Sequence, residues 1–349
     1  MCTDGIRLEQ KVLALIRGEP GAASFEALAL EVFAFQYEHC APYRAYCDRL
    51  GCTPQTVTDW RAIPAVPTRA FKDFSLTCFP TDEAVAEFHT SGTTSGRPGR
   101  HFFRTLAVYD AAMVEPFRAA LLEPAERPLP MLLLAPSPSE APHSSLSYML
   151  ERLREKFGAP ESEYFVVAGR LERERLVRRL CEAQWASQPV MLLGTAFAFV
   201  HLLDYCEQEN LTFALPSGSR VMETGGYKGR SRELPVGELY RQLRARLGVT
   251  WLVNEYGMTE LSSQFYSREG ERKRASPWNR ITVINPRTGS SAEDDQVGLI
   301  RVLDLANVWS VACIQTEDLG RGSSEGFEVL GRAANAEVRG CSLTAEAWQ

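Results

Sequence analysis

Residues 88–104 read Phe-His-Thr-Ser-Gly-Thr-Thr-Ser-Gly-Arg-Pro-Gly-Arg-His-Phe-Phe-Arg. From Thr90 through Ser91, Gly92, Thr93, Thr94 and Ser95 to Gly96, every residue is small, hydroxylic or glycine. Glycine admits positive φ and close ligand approach. Successive N–H groups in such a loop form an anion-binding concavity. Arg97, Arg100 and Arg104 add positive charge, so the stretch suits a polyphosphate. It is not a Walker A loop, because no Gly-Lys-Ser/Thr follows Gly92 at the required distance. Taken alone, a Ser/Gly-rich surface turn accounts for it equally well, and the rest of the chain must decide.

The composition is that of an ordinary globular protein: 349 residues, 45% hydrophobic and 23% charged. That length implies two or more compact units. A net charge of −6 argues against a general nucleic-acid or anionic-membrane binder. No basic segment followed by an apolar core opens the chain, so no secretory signal is expected. The nearly apolar run 190–203 is too short to span a bilayer. Nine cysteines at irregular spacing favour reduced thiols and a cytoplasmic location over a disulfide framework. His39, Cys40, Cys47 and Cys52 fall close together but match no standard zinc spacing. Packing into a core is the better reading for them.

Outward from the loop, the chain alternates. Residues 1–60 read as helical, with Ser24 capping a helix whose apolar positions are Phe25, Leu28, Val32, Phe33 and Phe35. Phe102 and Phe103 predict a strand, and 105–122 an amphipathic helix. Strands are expected at 131–135, 164–167, 190–193, 220–224 and 250–256. Helices are expected between them at 144–157, 171–185, 198–210 and 235–247. In the 171–185 helix, Leu171, Leu176, Leu180 and Trp185 are expected to face inward, and its Arg and Glu runs to form a solvated face. This rhythm is α/β, with a largely parallel sheet. Gly225-Gly226 and Tyr256-Gly257 end strands, where ligands of open α/β sheets sit. From about 275 the pattern changes to short strands with turn signals. The expected organisation is a helical segment at 1–60, an α/β core at 61–275, a β-rich subdomain at 276–331 and a short tail at 332–349.

Three further motifs give the loop its context. They are Tyr256-Gly257-Met258-Thr259-Glu260, then Val283-Ile284-Asn285-Pro286 through Val297-Gly298-Leu299-Ile300, then Thr316-Glu317-Asp318-Leu319-Gly320 followed by Gly331-Arg332. With the loop, and in this order, they resemble the signatures of adenylate-forming enzymes: acyl-CoA synthetases, peptide-synthetase adenylation domains and luciferases. Leu330-Gly331-Arg332-Ala333 and Arg339-Gly340-Cys341-Ser342-Leu343 carry a narrower resemblance, to the acyl-protein synthetases of the bacterial-luminescence fatty-acid reductase complex. It covers the chain from roughly residue 60 to the end.

The resemblance implies the layered sheets of the large N-terminal domain of those enzymes, a smaller β-rich subdomain and a truncated C-terminal domain. It implies ATP and Mg²⁺ as cofactors, a carboxylic acid as substrate with a fatty acid favoured, and an acyl-accepting reductase as partner. Residues 90–96 would cradle the phosphates together with Arg100. Thr259 would touch the α-phosphate, and Glu260 would bind Mg²⁺, a hard cation that prefers oxygen ligands. Gly225, Gly226, Tyr256 and Gly257 would flank the adenine. Asp318 would bind the ribose hydroxyls, with Arg332 nearby. His143, Ser144 and Ser145 would lie near the acid and phosphates, and Gly194, Thr195 and Phe197 would line the acyl pocket. Cys341, beside Arg339, would take the acyl group as a thioester; a nearby cation raises a thiol's thiolate fraction.

The chain departs from the pattern in two places. The loop has an extra residue before Arg97-Pro98, and Arg100 replaces a lysine, keeping charge but not geometry. The lysine of the superfamily's mobile C-terminal domain has no counterpart. Either another cation, Arg339 or Arg332, substitutes or adenylation is slow. Two competing readings stay open: a ligase for aryl or other acids without self-acylation, and a non-catalytic adenylate-binding protein.

Overall fold

The computed structural model describes residues 3–90, 97–124, 127–225 and 234–333. Two compact units divide the chain. One gathers Met1–Met113, Met258–Phe265 and Arg272–Gln349; the other comprises Val114–Gly257 and Tyr266–Glu271. These units cut across the boundaries expected from composition, which follow the chain in order. Among the described residues no helix is long and apolar enough to cross a membrane.

The Val114–Gly257 unit is built on a seven-stranded sheet. Four neighbouring parallel strands form its centre: Met131–Pro136, Met191–Thr195, Arg220–Thr224 and Trp251–Tyr256. Each carries a run of consecutive apolar residues, as strands covered on both faces do. Register sets these residues in rows. Leu132, Leu192, Val221 and Leu252 lie side by side, and so do Leu133, Leu193, Met222 and Val253 one residue on. Alternation sends the two rows to opposite faces. The first row shares a core with Leu176, Leu180, Phe199, Leu203, Leu239 and Leu243 from the helices Arg173–Trp185, Ala196–Gln208 and Val236–Leu247.

Trp185 does not face that core; it is 80% exposed. Leu176, Leu180 and Ala183 hold the buried stripe, and a residue five positions beyond Leu180 lies well off it at 3.6 residues per turn. Leu171, expected on the same helix, instead ends the short strand Arg170–Leu171 and is half-buried.

In the other unit, Ser24 caps the helix Phe25–His39 by accepting the Ala27 amide. Gly5 lets the helix Thr3–Ile16 approach Trp309; a Cβ there would stand 2.3 Å from the indole. The sheet of this unit has five strands. Cys313–Ser323 lies between Gly298–Asp304, antiparallel to it, and Val66–Pro67, parallel to it; Asn279–Ile284 flanks Gly298–Asp304, and Gly326–Arg332 pairs back on Cys313–Ser323. A two-stranded hairpin, Ala86–His89 with Arg100–Phe103, delivers the loop.

Candidate active site

The loop residues Ser91, Gly92, Thr93, Thr94, Ser95 and Gly96 lie outside the described residues, as do Gly226, Arg339 and Cys341. Both strands that deliver the loop are described. Beyond the pair His89 and Arg100, the Thr90 amide donates to the Gly99 carbonyl at 2.9 Å, and the Gly99 amide donates to Thr90 Oγ1 at 2.8 Å. A Cβ at position 99 would stand 3.2 Å from the Thr90 side chain, so the turn is closely packed there. Arg100 pairs with Glu87 at 3.7 Å and lies over the Phe102 ring. Glu87 also bonds His89 Nε2 at 2.8 Å.

Thr259 is bonded to both of these strands. Thr259 Oγ1 donates to the His89 carbonyl at 3.2 Å, and His101 Nδ1 donates to the Thr259 carbonyl at 2.8 Å. The acceptor is a carbonyl, so the ring must carry its proton on Nδ1. His101 is buried against Phe71 and Phe103. Burial pushes its pKa down to about 4, against a smaller upward effect of the bond to Thr259.

Glu260 is a buried carboxyl, and burial pushes its pKa up to about 7. A bond to its own amide and the Arg332 charge work against that rise, while Asp318 and Glu317 add to it. Asp318 and Arg332 are partners across a strand pair, with Arg332 Nε 3.8 Å from the carboxylate. The register shifts immediately after Leu319, and the Asp318 amide donates to Thr316 Oγ1 at 3.1 Å. Such irregularities re-aim side chains. Thr90, Arg100, Thr259, Glu260, Asp318 and Arg332 therefore belong to one compact unit, although up to 242 positions separate them in sequence (332 − 90).

These residues fit a magnesium ion. Among the described residues no three His, Cys, Asp or Glu side chains are grouped to hold a metal. Mg²⁺ is commonly held by one or two carboxylates plus substrate phosphates. Glu260 is a buried acid whose charged form is disfavoured chiefly by burial, and a cation beside it would favour that form.

The remaining expected residues belong to the other unit, at the C-terminal side of its parallel strands. Gly225 ends the Arg220–Thr224 strand at φ 71°, and a Cβ there would meet open space. Tyr256 and Gly257 close and follow the Trp251–Tyr256 strand. Gly194 is packed: a Cβ would stand 2.6 Å from Leu134 O. Thr195 and Ser144 each cap a helix, accepting the amides of Ala198 at 3.2 Å and Ser147 at 3.1 Å. Phe197 meets the His201 ring edge-on. Ser145 begins the helix Ser145–Phe157, and His143 before it is exposed.

The sequence profile described as "Acyl-protein synthetase, LuxE" matches residues 4–347. The chain belongs to that family. It is 23% identical over 303 residues to the long-chain-fatty-acid–luciferin-component ligase of Aliivibrio fischeri, covering 84% of this chain and 78% of that one. The fold matches 2-hydroxyisobutyryl-CoA ligase, solved in an open conformation with 2-HIB-AMP and CoA, at a TM-score of 0.65 and 16% identity. That match covers 87% of this chain and 73% of the other. ATP-bound MatB from Rhodopseudomonas palustris matches at a TM-score of 0.52 and 18% identity, over 74% of this chain and 50% of the other. This LuxE-family enzyme thus has the fold of adenylate-forming ligases.

Several buried polar residues carry hydrogen bonds that no sequence motif announces. His101 carried no signal except its place just after the loop. Glu223 and Glu255 are buried on adjacent strands; Glu223 accepts from Asn254 Nδ2 at 2.6 Å and Tyr240 OH at 3.1 Å, and Glu255 accepts from Thr224 Oγ1. Each follows an apolar pair, Val221-Met222 or Leu252-Val253, near the C-terminal end of its strand. Asp304 and Asn307, within Asp304-Leu305-Ala306-Asn307, bond the segment that carries Glu260.

Proposed function

We propose that this enzyme activates a carboxylic acid, a fatty acid favoured, with ATP. The acid's carboxylate oxygen attacks the α-phosphorus, and pyrophosphate leaves, giving an acyl-adenylate. The Cys341 thiolate then attacks the acyl carbon and AMP leaves, giving a thioester for delivery to a reductase partner. Mg²⁺ would neutralise phosphate charge and orient the leaving group. Most of the catalysis is positioning and electrostatics.

Residues 90–96 and Arg100 hold the phosphates, Thr259 the α-phosphate, Glu260 the metal, and Asp318 with Arg332 the ribose. Gly225, Gly226, Tyr256 and Gly257 keep the adenine role; His143, Ser144 and Ser145 the acid; Gly194, Thr195 and Phe197 the acyl chain. Arg339 beside Cys341 favours its thiolate.

The observation that carries this reading is the bonding of Thr259 to His89 and His101, on both strands that flank the loop. It brings two motifs, far apart in sequence, to one place. The name of the Aliivibrio relative supports the choice of a long-chain acid. The presence of CoA in the 2-hydroxyisobutyryl-CoA ligase complex favours a second reading, in which a small thiol takes the acyl group. Pyrophosphate–ATP exchange with a panel of acids tests activation: exchange dependent on long-chain acids is expected, and no exchange with any acid overturns it. Labelled acyl group on the protein, rather than on an added small thiol, separates the two acceptors.

A further inference from the structure

Glu260 sits in 257–264, a stretch with neither helix nor strand between Trp251–Tyr256 and Phe265–Arg268. Buried backbone groups outside regular structure need partners. Side chains of one turn, 304–307, supply three of them.

Asn307 Nδ2 donates to the Glu260 carbonyl at 2.8 Å and to the Val311 carbonyl at 3.1 Å, and Asn307 Oδ1 accepts from Ser262 Oγ at 2.7 Å. Asp304 Oδ2 accepts the amides of Ser262 at 3.1 Å and Ser263 at 2.9 Å. Its Oδ1 accepts the Ser263 hydroxyl at 2.8 Å and caps its own turn through the Ala306 amide at 3.1 Å. Trp278 Nε1 donates to Ser263 Oγ at 3.0 Å. Gln36 seals the far side, donating to the Asn307 carbonyl at 2.9 Å and accepting the Ala312 amide at 3.0 Å. Asp304, Asn307, Ser262 and Ser263 are each no more than 2% exposed.

Asparagine is the only common side chain that meets these demands at position 307. Two carbonyls face its nitrogen and one hydroxyl its oxygen, so the amide has a single satisfied orientation. An aspartate would set a carboxylate against two carbonyl oxygens, and an alanine would leave the Glu260 carbonyl without this donor.

We propose that Asn307, on a turn fixed by Asp304, is a positioning residue that aims Glu260 at the magnesium–nucleotide complex. This rests on the metal role given to Glu260 above. Outer partners of a metal-binding carboxylate commonly govern affinity by 10–100-fold, and this network holds the main chain of the carboxylate at its carbonyl and at the two residues Ser262 and Ser263.

Equilibrium ATP binding, measured by calorimetry as Mg²⁺ is varied, tests the proposal in the full-length enzyme. Asn307→Ala is expected to raise the Mg²⁺ concentration for half-maximal ATP binding by about tenfold, with ATP affinity in EDTA unchanged. In a Glu260→Gln background the same change should add nothing, because the group it positions is gone. A wild-type Mg²⁺ dependence in a folded Asn307→Ala protein, or an additive effect in the double variant, overturns the positioning role. An unaltered Mg²⁺ dependence in Glu260→Gln alone overturns the metal role itself, a separate and recognisable failure. If Asn307→Ala does not fold, Ser262→Ala removes only the hydroxyl that orients the amide. A Mg²⁺ midpoint shifted the same way by that variant supports the proposal, and an unmoved one overturns it.

Discussion

His101 Nδ1 donates to the carbonyl of Thr259 across 2.8 Å, joining the strand that leaves the glycine-rich loop to the residue preceding the buried Glu260. The bond is side chain to main chain, so it fixes the path of the 259–260 backbone, not a side-chain rotamer. Thr259 returns a bond to the other strand of the hairpin through its hydroxyl. Both strands are thus tied to the residue that precedes Glu260.

The neutral state of His101 yields a pH signature. Its pKa is pushed from 6.5 down to about 4, chiefly by burial. The unfolded chain therefore binds a proton that the native chain refuses between those values. The associated stability is present above about pH 6.5 and is lost as pH falls toward 4. The full difference is roughly 3 kcal/mol at 1.36 kcal/mol per pKa unit. Asn at this position offers an amide N–H near the place of Nδ1 and cannot titrate. His101→Asn should flatten that part of the stability–pH curve, read from urea unfolding between pH 4 and 7. An unchanged slope would assign it to other groups.

Glu260→Gln removes the charge and keeps the shape. Loss of one group aimed at transition-state charge typically costs 10²–10³ in rate. Acid-dependent pyrophosphate exchange should fall by roughly that factor, while the protein stays folded. Removing an uncompensated buried acid should leave stability equal or higher above neutral pH. Thermal unfolding with and without Mg²⁺–ATP reads both effects, and a variant that exchanges at the wild-type rate would take Glu260 out of the reaction.

Asp318 tests the ribose assignment through the nucleotide. A carboxylate accepting from ribose hydroxyls makes charge-assisted bonds, worth roughly a tenfold or greater discrimination each. Wild-type enzyme should prefer ATP to 2′- or 3′-deoxy-ATP, and Asp318→Ala should abolish at least one of those preferences while raising the KM for ATP. Equal discrimination in the variant and the wild type would restrict Asp318 to its pair with Arg332.

What could be read from the sequence follows the range of each interaction. The 220–224 strand and the cap at Ser24 depend on neighbours a few residues away, and local pattern reports them. Trp185 is apolar yet exposed, because its angle on the helix places it outside the Leu176–Leu180 stripe and apolar character alone does not report that angle. His101, Asp304 and Asn307 act on residues 158, 41–42 and 47 positions away, and no local pattern encodes such pairs. Thr259, Glu260 and Asp318 stand out in the sequence because they belong to motifs met in a fixed order, not because their neighbourhood could be derived.

Gly194 separates packing from pocket. A methyl group there would stand 2.6 Å from the Cβ and carbonyl oxygen of Leu134, on the adjacent central strand. Backbone cannot yield as a flexible side chain would, and overpacking of this kind costs about 1–3 kcal/mol. Gly194→Ala should lower the thermal midpoint. If the residue also lines the acyl pocket, the order of preference among acids of different chain length should change as well. A destabilised variant with the original order of preference leaves Gly194 a packing glycine only.

Cys341 divides the proposed reaction into two measurable halves. Adenylate formation needs the phosphates, the metal and the acid, none of which involves a thiol. Thioester formation needs a thiolate, and in the proposed reaction Arg339, two residues away in sequence, would supply a charge that favours one. Cys341→Ser should therefore keep pyrophosphate exchange near the wild-type rate and lose the hydroxylamine-labile label acquired from radioactive acid and ATP. Arg339→Gln should slow labelling at neutral pH and recover toward the wild-type rate as pH rises, because an unassisted thiol ionises nearer 8.5. Label persisting on Cys341→Ser would move the acceptor to another thiol. Loss of exchange in the same variant would couple that residue to the first half-reaction, contrary to the order of steps proposed.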